Sequence, residues 1–147
     1  MRYYQFASLG TSNSKLVNIA LSQVGNQGGT PYWSWYGYKE RVEWCACFVS
    51  WCAYQLGDLN ITIPKFSAVK DGIKYYQNKG LWGDKNYIPK TGDLIFFDWQ
   101  QDGISDHVGV VEKVENNIIY TIEGNSNDQC KQNTYRISSN IIYGFSI

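Results

Sequence analysis

VEWCACFVSWCAYQLG, Val42–Gly57, holds three of the chain's four cysteines within eight positions and is apolar on nearly every side. Read as a helix closed by Gly57 in a left-handed cap, it carries Trp44, Phe48, Val49, Trp51, Ala53 and Leu56 around its circumference, the mark of a helix at the centre of a core. Geometry then separates the thiols. Cys45 and Cys52 share a face but lie about 10 Å apart along the axis, beyond the reach of a disulfide, and Cys47 points away from both. A closed zinc site needs four converging ligands, and a C-x-C spacing in a chain with one histidine does not supply them. A bridge from one of these cysteines to Cys130 stays open. Cys47 and Cys52 read as small buried hydrophobes. Cys45 falls in the first turn, where unpaired backbone N–H groups and the helix dipole favour a thiolate, and it follows the polar segment YKERVE, Tyr38–Glu43.

Working outward, residues 1–12 read as a lead-in, and Asn13 or Ser14 offers an N-cap for a helix with Leu16, Ile19, Ala20 and Val24 at roughly helical spacing. GNQGG, Gly25–Gly29, ends it. Pro31–Glu43 reads as an aromatic loop, and a third helix is expected from about Ser67 to Asn78, closed by Gly80. From Lys90 onward the runs are short, β-branched and aromatic: DLIFFDW, HVGVVEKV, NIIYTIEG, NTYRIS and IIYGFSI. Helices first and antiparallel strands after them predict an α+β fold, with N-terminal helices packed on a C-terminal antiparallel β-sheet in one domain over residues 13–147. A chain of 147 residues buries enough surface to need no disulfide or metal staple.

Thirteen basic and thirteen acidic side chains cancel, so no basic footprint for nucleic acid exists. No apolar run approaches the roughly 18 residues that span a bilayer, so this chain carries no membrane segment. The start, MRYYQFASLG, lacks the apolar core of a signal peptide. Work outside a cell would then require an export segment absent from this chain, or release at phage lysis. Twelve tyrosines and six tryptophans are many for this length, and PYWSWYGY, Pro31–Tyr38, gathers several of them. Trp33, Trp35 and Tyr38 are candidates for a sugar or peptide groove, although each ring alone serves equally well as core.

The single histidine, His107, opens HVGVVEKV. If Val114 and Ile118 flank a turn of Glu115, Asn116 and Asn117, antiparallel pairing sets Val110 opposite Ile122 and His107 opposite Asn125. One face then carries Val108, Val110, Val114, Ile118, Tyr120 and Ile122, apolar with Glu112 as its exception; the other carries His107, Gly109, Lys113, Thr121, Glu123 and Asn125. A one-residue slip would mix the two sets. An imidazole, a carboxylate and an amide thus project from one end of one hairpin, which is what a general base acting on a thiol requires.

WCACFVSW, TGDLIFFDW, DHVGVVEKV and TIEGNSN, in that order, resemble the CHAP domain, the cysteine, histidine-dependent amidohydrolase/peptidase family of bacterial and phage cell-wall lysins. The resemblance runs from about Lys15 to the C-terminus. It implies a papain-like fold and a monomeric enzyme that cleaves amide bonds of bacterial peptidoglycan, as an endopeptidase or an N-acetylmuramoyl-L-alanine amidase. It implies Cys45 as nucleophile, His107 as base, Glu123 as the acid orienting the imidazole and Asn125 as the polar residue completing the set. The oxyanion would rest on the Cys45 backbone N–H and on a second donor from Trp35, Tyr36 or Tyr38, with Tyr36 preferred. It places the protein outside the cell or in the cell wall, or as a phage product released at lysis. Some family members bind calcium through an Asp-rich loop ahead of the nucleophile; the matching stretch here, NQGGTPYWSWYGY, has no carboxylate, so neither a metal nor another cofactor is expected. Two rivals stand beside this reading: a glycosidase using a carboxylate pair, with Glu43 as one member, and a non-catalytic wall-binding module built on the aromatic cluster.

Overall fold

A computed structural model describes residues 12–147. Helices α1 (Ser12–Leu21), α2 (Thr30–Tyr36), α3 (Cys45–Leu56) and α4 (Val69–Asn78) come first. Strands β1 (Trp82–Asp84), β2 (Leu94–Phe97), β3 (His107–Glu115), β4 (Ile118–Ser126), β5 (Gln129–Arg136) and β6 (Ile142–Ser146) follow, in one antiparallel sheet of order β1-β6-β2-β3-β4-β5. This is the α+β order expected.

Helix α3 is the centre of the molecule. Residues Cys45–Ser50, Cys52 and Ala53 are all buried, and Gly57, at φ 84°, closes the last turn. Its shell is α1, α2 and one face of the sheet, where Leu94, Phe96, Val108, Val110 and Ile122 join the same cluster. The opposite face buries Ile95, Phe97, Val111, Ile119, Ile142 and Phe145. Central strands covered on both sides account for runs such as LIFF that show no alternation. Close approach of β4 to α3 depends on Gly124, where a Cβ would lie 2.5 Å from Phe48 Cβ.

Several expectations are corrected. Residues 1–11 of the lead-in lie outside the described residues, and its last residue, Ser12, already opens α1, so Asn13 and Ser14 sit inside the helix. The aromatic loop is partly helical: Thr30–Tyr36 forms α2, with Pro near its start, where the missing N–H costs nothing. Strand β1 is three residues long, too short for a period of two to show. The β3–β4 turn is two residues, Asn116 and Asn117 at φ 54° and 63°, with Glu115 opposite Ile118. A bulge at Glu112 then restores Val110 opposite Ile122. The single apolar face is therefore split: Val108, Val110 and Ile122 pack against the helices, while Val114 packs with Val111 and Ile119 on the other side.

Gly29, which precedes α2, has φ 71°, and a Cβ there would fall 2.3 Å from Cδ2 of the Trp44 indole. Gly29→Ala combines a left-handed backbone with an overpacked core. The expected loss is about 2–4 kcal/mol, read from the denaturant midpoint.

Candidate active site

Three elements converge on one point. Cys45 is the first residue of α3 and 5% exposed, His107 the first of β3 and 6% exposed, and Glu123 lies in β4 at 1%. His107 Nε2 and Glu123 Oε1 are 2.9 Å apart. That leaves Nδ1 as the ring nitrogen for Cys45, whose hydrogen bond and charge also act on the imidazole. The other carboxylate oxygen, Oε2, accepts from Thr121 Oγ1 at 2.6 Å and from the Tyr135 hydroxyl at 2.7 Å. Strand alternation explains this set. Thr121 and Glu123 share a face of β4, and Tyr135, opposite Ile119 on β5, presents its side chain to that face. Gly109 on β3 makes the room: a Cβ there would lie 2.6 Å from Glu123 Cγ.

The electrostatics follow from the burial. Desolvation alone would make His107 harder to protonate, but the hydrogen bonds and charges of Cys45 and Glu123 outweigh it and lift its pKa from 6.5 to about 10. Burial alone would push Glu123 upward; the imidazole, Thr121 and Tyr135 reverse this and hold it below the ordinary carboxylate value. The imidazole is therefore a cation at neutral pH.

Asn125 does not join the imidazole. Its backbone is left-handed, at φ 58°, and its amide donates to Glu43 Oε2 at 2.9 Å while accepting from Arg41 Nη2 at 3.0 Å. The reason is Arg41, which also grips Asp128 Oδ1 through Nε and Nη2, while Trp44 Nε1 donates to the same oxygen at 3.1 Å. Arg41, Glu43 and Trp44 thus tie the segment leading into Cys45 to the β4–β5 turn. Asn125 is a member of that tie, and sequence pairing could not show it because the partner is a loop.

The aromatic candidates divide. Trp33 packs against the core and its indole donates to the Gly28 carbonyl at 3.1 Å, a structural task. Trp35 contacts Tyr54 and Tyr36, and Tyr36 stacks on Tyr38 with ring centroids 5.5 Å apart. Lys65 Nζ lies over Tyr36 at 4.7 Å, and the Ser67 hydroxyl pairs with the Tyr38 hydroxyl at 2.7 Å. Tyr36 thus sits beside Lys65 and the Cys47 flank of α3, and it is the Tyr38 hydroxyl that has a partner.

All four cysteines are free, so no bridge joins Cys130 to α3. Burial pushes the Cys47 thiol up to about 11 and Cys130 to about 12, and raises fully buried Cys52 well above its ordinary value. Among the described residues no group of three or more His, Cys, Asp and Glu side chains is arranged to hold a metal ion. Thr121, Tyr135, Arg41 and Asp128 were not singled out from sequence. Arg41 had a signal, its place four residues before Cys45, whereas Tyr135 depended on a β5 register that nothing in NTYRIS specifies.

Residues 33–125 match the CHAP domain family. Among solved structures, the chain is similar to the crystal structure of Ly7917, with a TM-score of 0.62 and 16% identity over 92% of this chain and 61% of that one. It is similar also to the crystal structure of Ly7917 with the hydrolyzing product of MDP, with a TM-score of 0.61, 16% identity and coverage of 92% and 62%. The chain thus spans about three fifths of the length of these structures. No curated protein matches it.

Proposed function

The chain belongs to the CHAP domain family, and from that premise we propose that it is a peptidoglycan hydrolase that cuts an amide bond by a Cys45 thiolate. The observation that carries the reading is the buried His107–Glu123 pair held at 2.9 Å beside a cysteine at a helix N-terminus. The structure solved with the hydrolyzing product of MDP supports a wall-derived substrate.

In the first step the Cys45 sulfur bonds to the carbonyl carbon, and the oxyanion forms at the N-terminus of α3 against the Cys45 backbone N–H. One such donor contributes roughly 3 kcal/mol to the transition state. Tyr36, whose ring stacks on Tyr38, is the candidate for the second donor. The C–N bond breaks as the imidazolium passes its Nδ1 proton to the departing amine, leaving a thioester. Water then attacks with His107 as base, the C–S bond breaks, the carboxylic acid is released, and the Cys45 thiolate and His107 imidazolium are restored. Glu123 stays ionised and fixes the ring through Nε2. The bond is the N-acetylmuramoyl-L-alanine amide or one within the stem peptide or cross-bridge, met at the cell wall from outside the cell or after lysis. Glu43, the carboxylate a glycosidase would use, is engaged by Arg41 and Asn125. Incubation with purified peptidoglycan should yield new free amino groups; new reducing sugar ends without amino groups would refute this reading.

Tyr135→Phe removes one of the two hydroxyl donors on Glu123 Oε2. A carboxylate that loses a donor binds its proton more tightly, so the acid limb of the kcat/KM profile should move up by about 0.5–1 pH unit. An unmoved acid limb would show that the hydroxyl only packs.

A further inference from the structure

The β4–β5 hairpin turns through Asn127 and Asp128, at φ 53° and 60°, with Ser126 paired to Gln129. A tight turn of this kind needs a left-handed backbone at both places and takes glycine most readily at the second. Asp128 stands there instead, and its carboxylate is in use. Arg41 Nε at 3.0 Å, Arg41 Nη2 at 2.8 Å and Trp44 Nε1 at 3.1 Å all donate to Asp128 Oδ1. The hydrogen bonds from Arg41 and Trp44 hold the carboxyl below its ordinary value, so it is charged at neutral pH. The Asp128 carbonyl also accepts from the Gly28 N–H at 2.8 Å, which draws in the loop whose Gly29 lies against the Trp44 indole.

Trp44 is the N-cap of α3 and precedes Cys45, yet its side chain makes no cap to the helix. The start of α3 is therefore located through the indole. That ring is fully buried and stacked on Tyr32 at 5.4 Å. Glycines clear the space beside it: a Cβ on Gly124, the residue after Glu123, would lie 3.0 Å from the ring's Cζ3. Asp128 holds the ring's only polar atom. The two halves of the site thus meet at this carboxylate, because Cys45 is bonded to Trp44 and the strand that carries Glu123, partner of His107, runs into the turn that carries Asp128. We propose that Asp128 is a positioning residue which, through Trp44 and Arg41, holds the Cys45 sulfur and backbone N–H in register with the His107–Glu123 pair; its effect on turnover rests on the hydrolase reading.

Asp128→Gly separates positioning from folding, since glycine suits the turn and only the carboxylate is lost. kcat should fall about 10- to 100-fold, the scale of an ångström-sized misplacement, with KM changed by less than about twofold. Burial lowers the His107 pKa while Cys45 and Glu123 raise it, so a sulfur farther from the ring should also move the alkaline limb of kcat/KM down by about 0.5 pH unit or more. The rate at which iodoacetamide modifies Cys45 at neutral pH, which requires no hydrolysis, should drop about tenfold as the imidazolium supports the thiolate less. Asp128→Asn keeps an oxygen for Trp44 Nε1 and tolerates the left-handed backbone, and should recover most of both rates. An unchanged kcat and alkylation rate in Asp128→Gly overturns the proposal. So does a change confined to KM, which would make Asp128 a substrate contact, or to the denaturant midpoint, which would make it a structural tie. Amino-group release that persists in Cys45→Ala overturns the hydrolase reading instead, and the alkylation rates then decide the role of Asp128 by themselves.

Discussion

Cys45→Ala is expected to lower the release of amino groups from purified peptidoglycan on the order of 10⁵-fold while leaving binding to the wall intact. The size of the effect follows from the division of labour in the site. Without the sulfur there is no covalent intermediate, and neither Cys47, Cys52 nor Cys130 can replace it. All three are fully buried, and burial holds their thiols protonated at neutral pH. The fold should tolerate the change, because Cys45 occupies the first turn of α3 and alanine is the best helix former. Pelleting with insoluble wall material measures binding, and amino-group release measures turnover. A wall-binding module would lose neither; a glycosidase would keep its reducing-end release.

Glu123→Gln should cost about 10²- to 10⁴-fold in kcat/KM and change the shape of the pH profile. The carboxylate does two things that an amide cannot do together: it accepts from Nε2 and it stabilises the positive ring. In the wild type the imidazolium persists up to about pH 10, so activity should extend through neutral pH and fall as the pH rises through that value. Removing a negative partner lowers the pKa of a cation, so the alkaline limb in Glu123→Gln should move down by about one unit or more. The amide also leaves the hydroxyls of Thr121 and Tyr135 with a weaker acceptor inside the protein. A profile that falls in height and keeps its alkaline limb would mean that Glu123 only aims the ring.

The parts of this site that were legible in the sequence are those fixed by short-range pattern. Helix α3 announced itself through an all-round apolar run ended by Gly57, and Cys45 through its place in the first turn. The alternation of β3 and β4 brought His107 and Glu123 to one face, and the register at Val110 opposite Ile122 held even though the turn is shorter and a bulge at Glu112 intervenes. Two compensating errors, one residue in the turn and one in the strand, left His107 and Glu123 within contact of each other. What pattern could not reach were contacts between elements without a shared period. Regular strand pairing set Asn125 opposite His107; its side-chain contacts with Arg41 and Glu43, which arrive from a loop, lay outside that pattern. Tyr135 depended on the register of β5, a strand with polar residues at most positions. Tyr36 and its neighbours were read as a loop, and helix α2 turned their rings toward Lys65 and Tyr54 instead.

The most direct test of the Cys45 mechanism is iodoacetamide treatment of the wild-type protein, with the modified residues located by mass spectrometry at intervals and residual hydrolysis measured on the same samples. Cys45, at 5% exposure beside a cationic imidazole, should react first, and activity should fall in proportion to its modification while Cys47, Cys52 and Cys130 remain intact. Full modification of Cys45 with hydrolysis retained would contradict the mechanism.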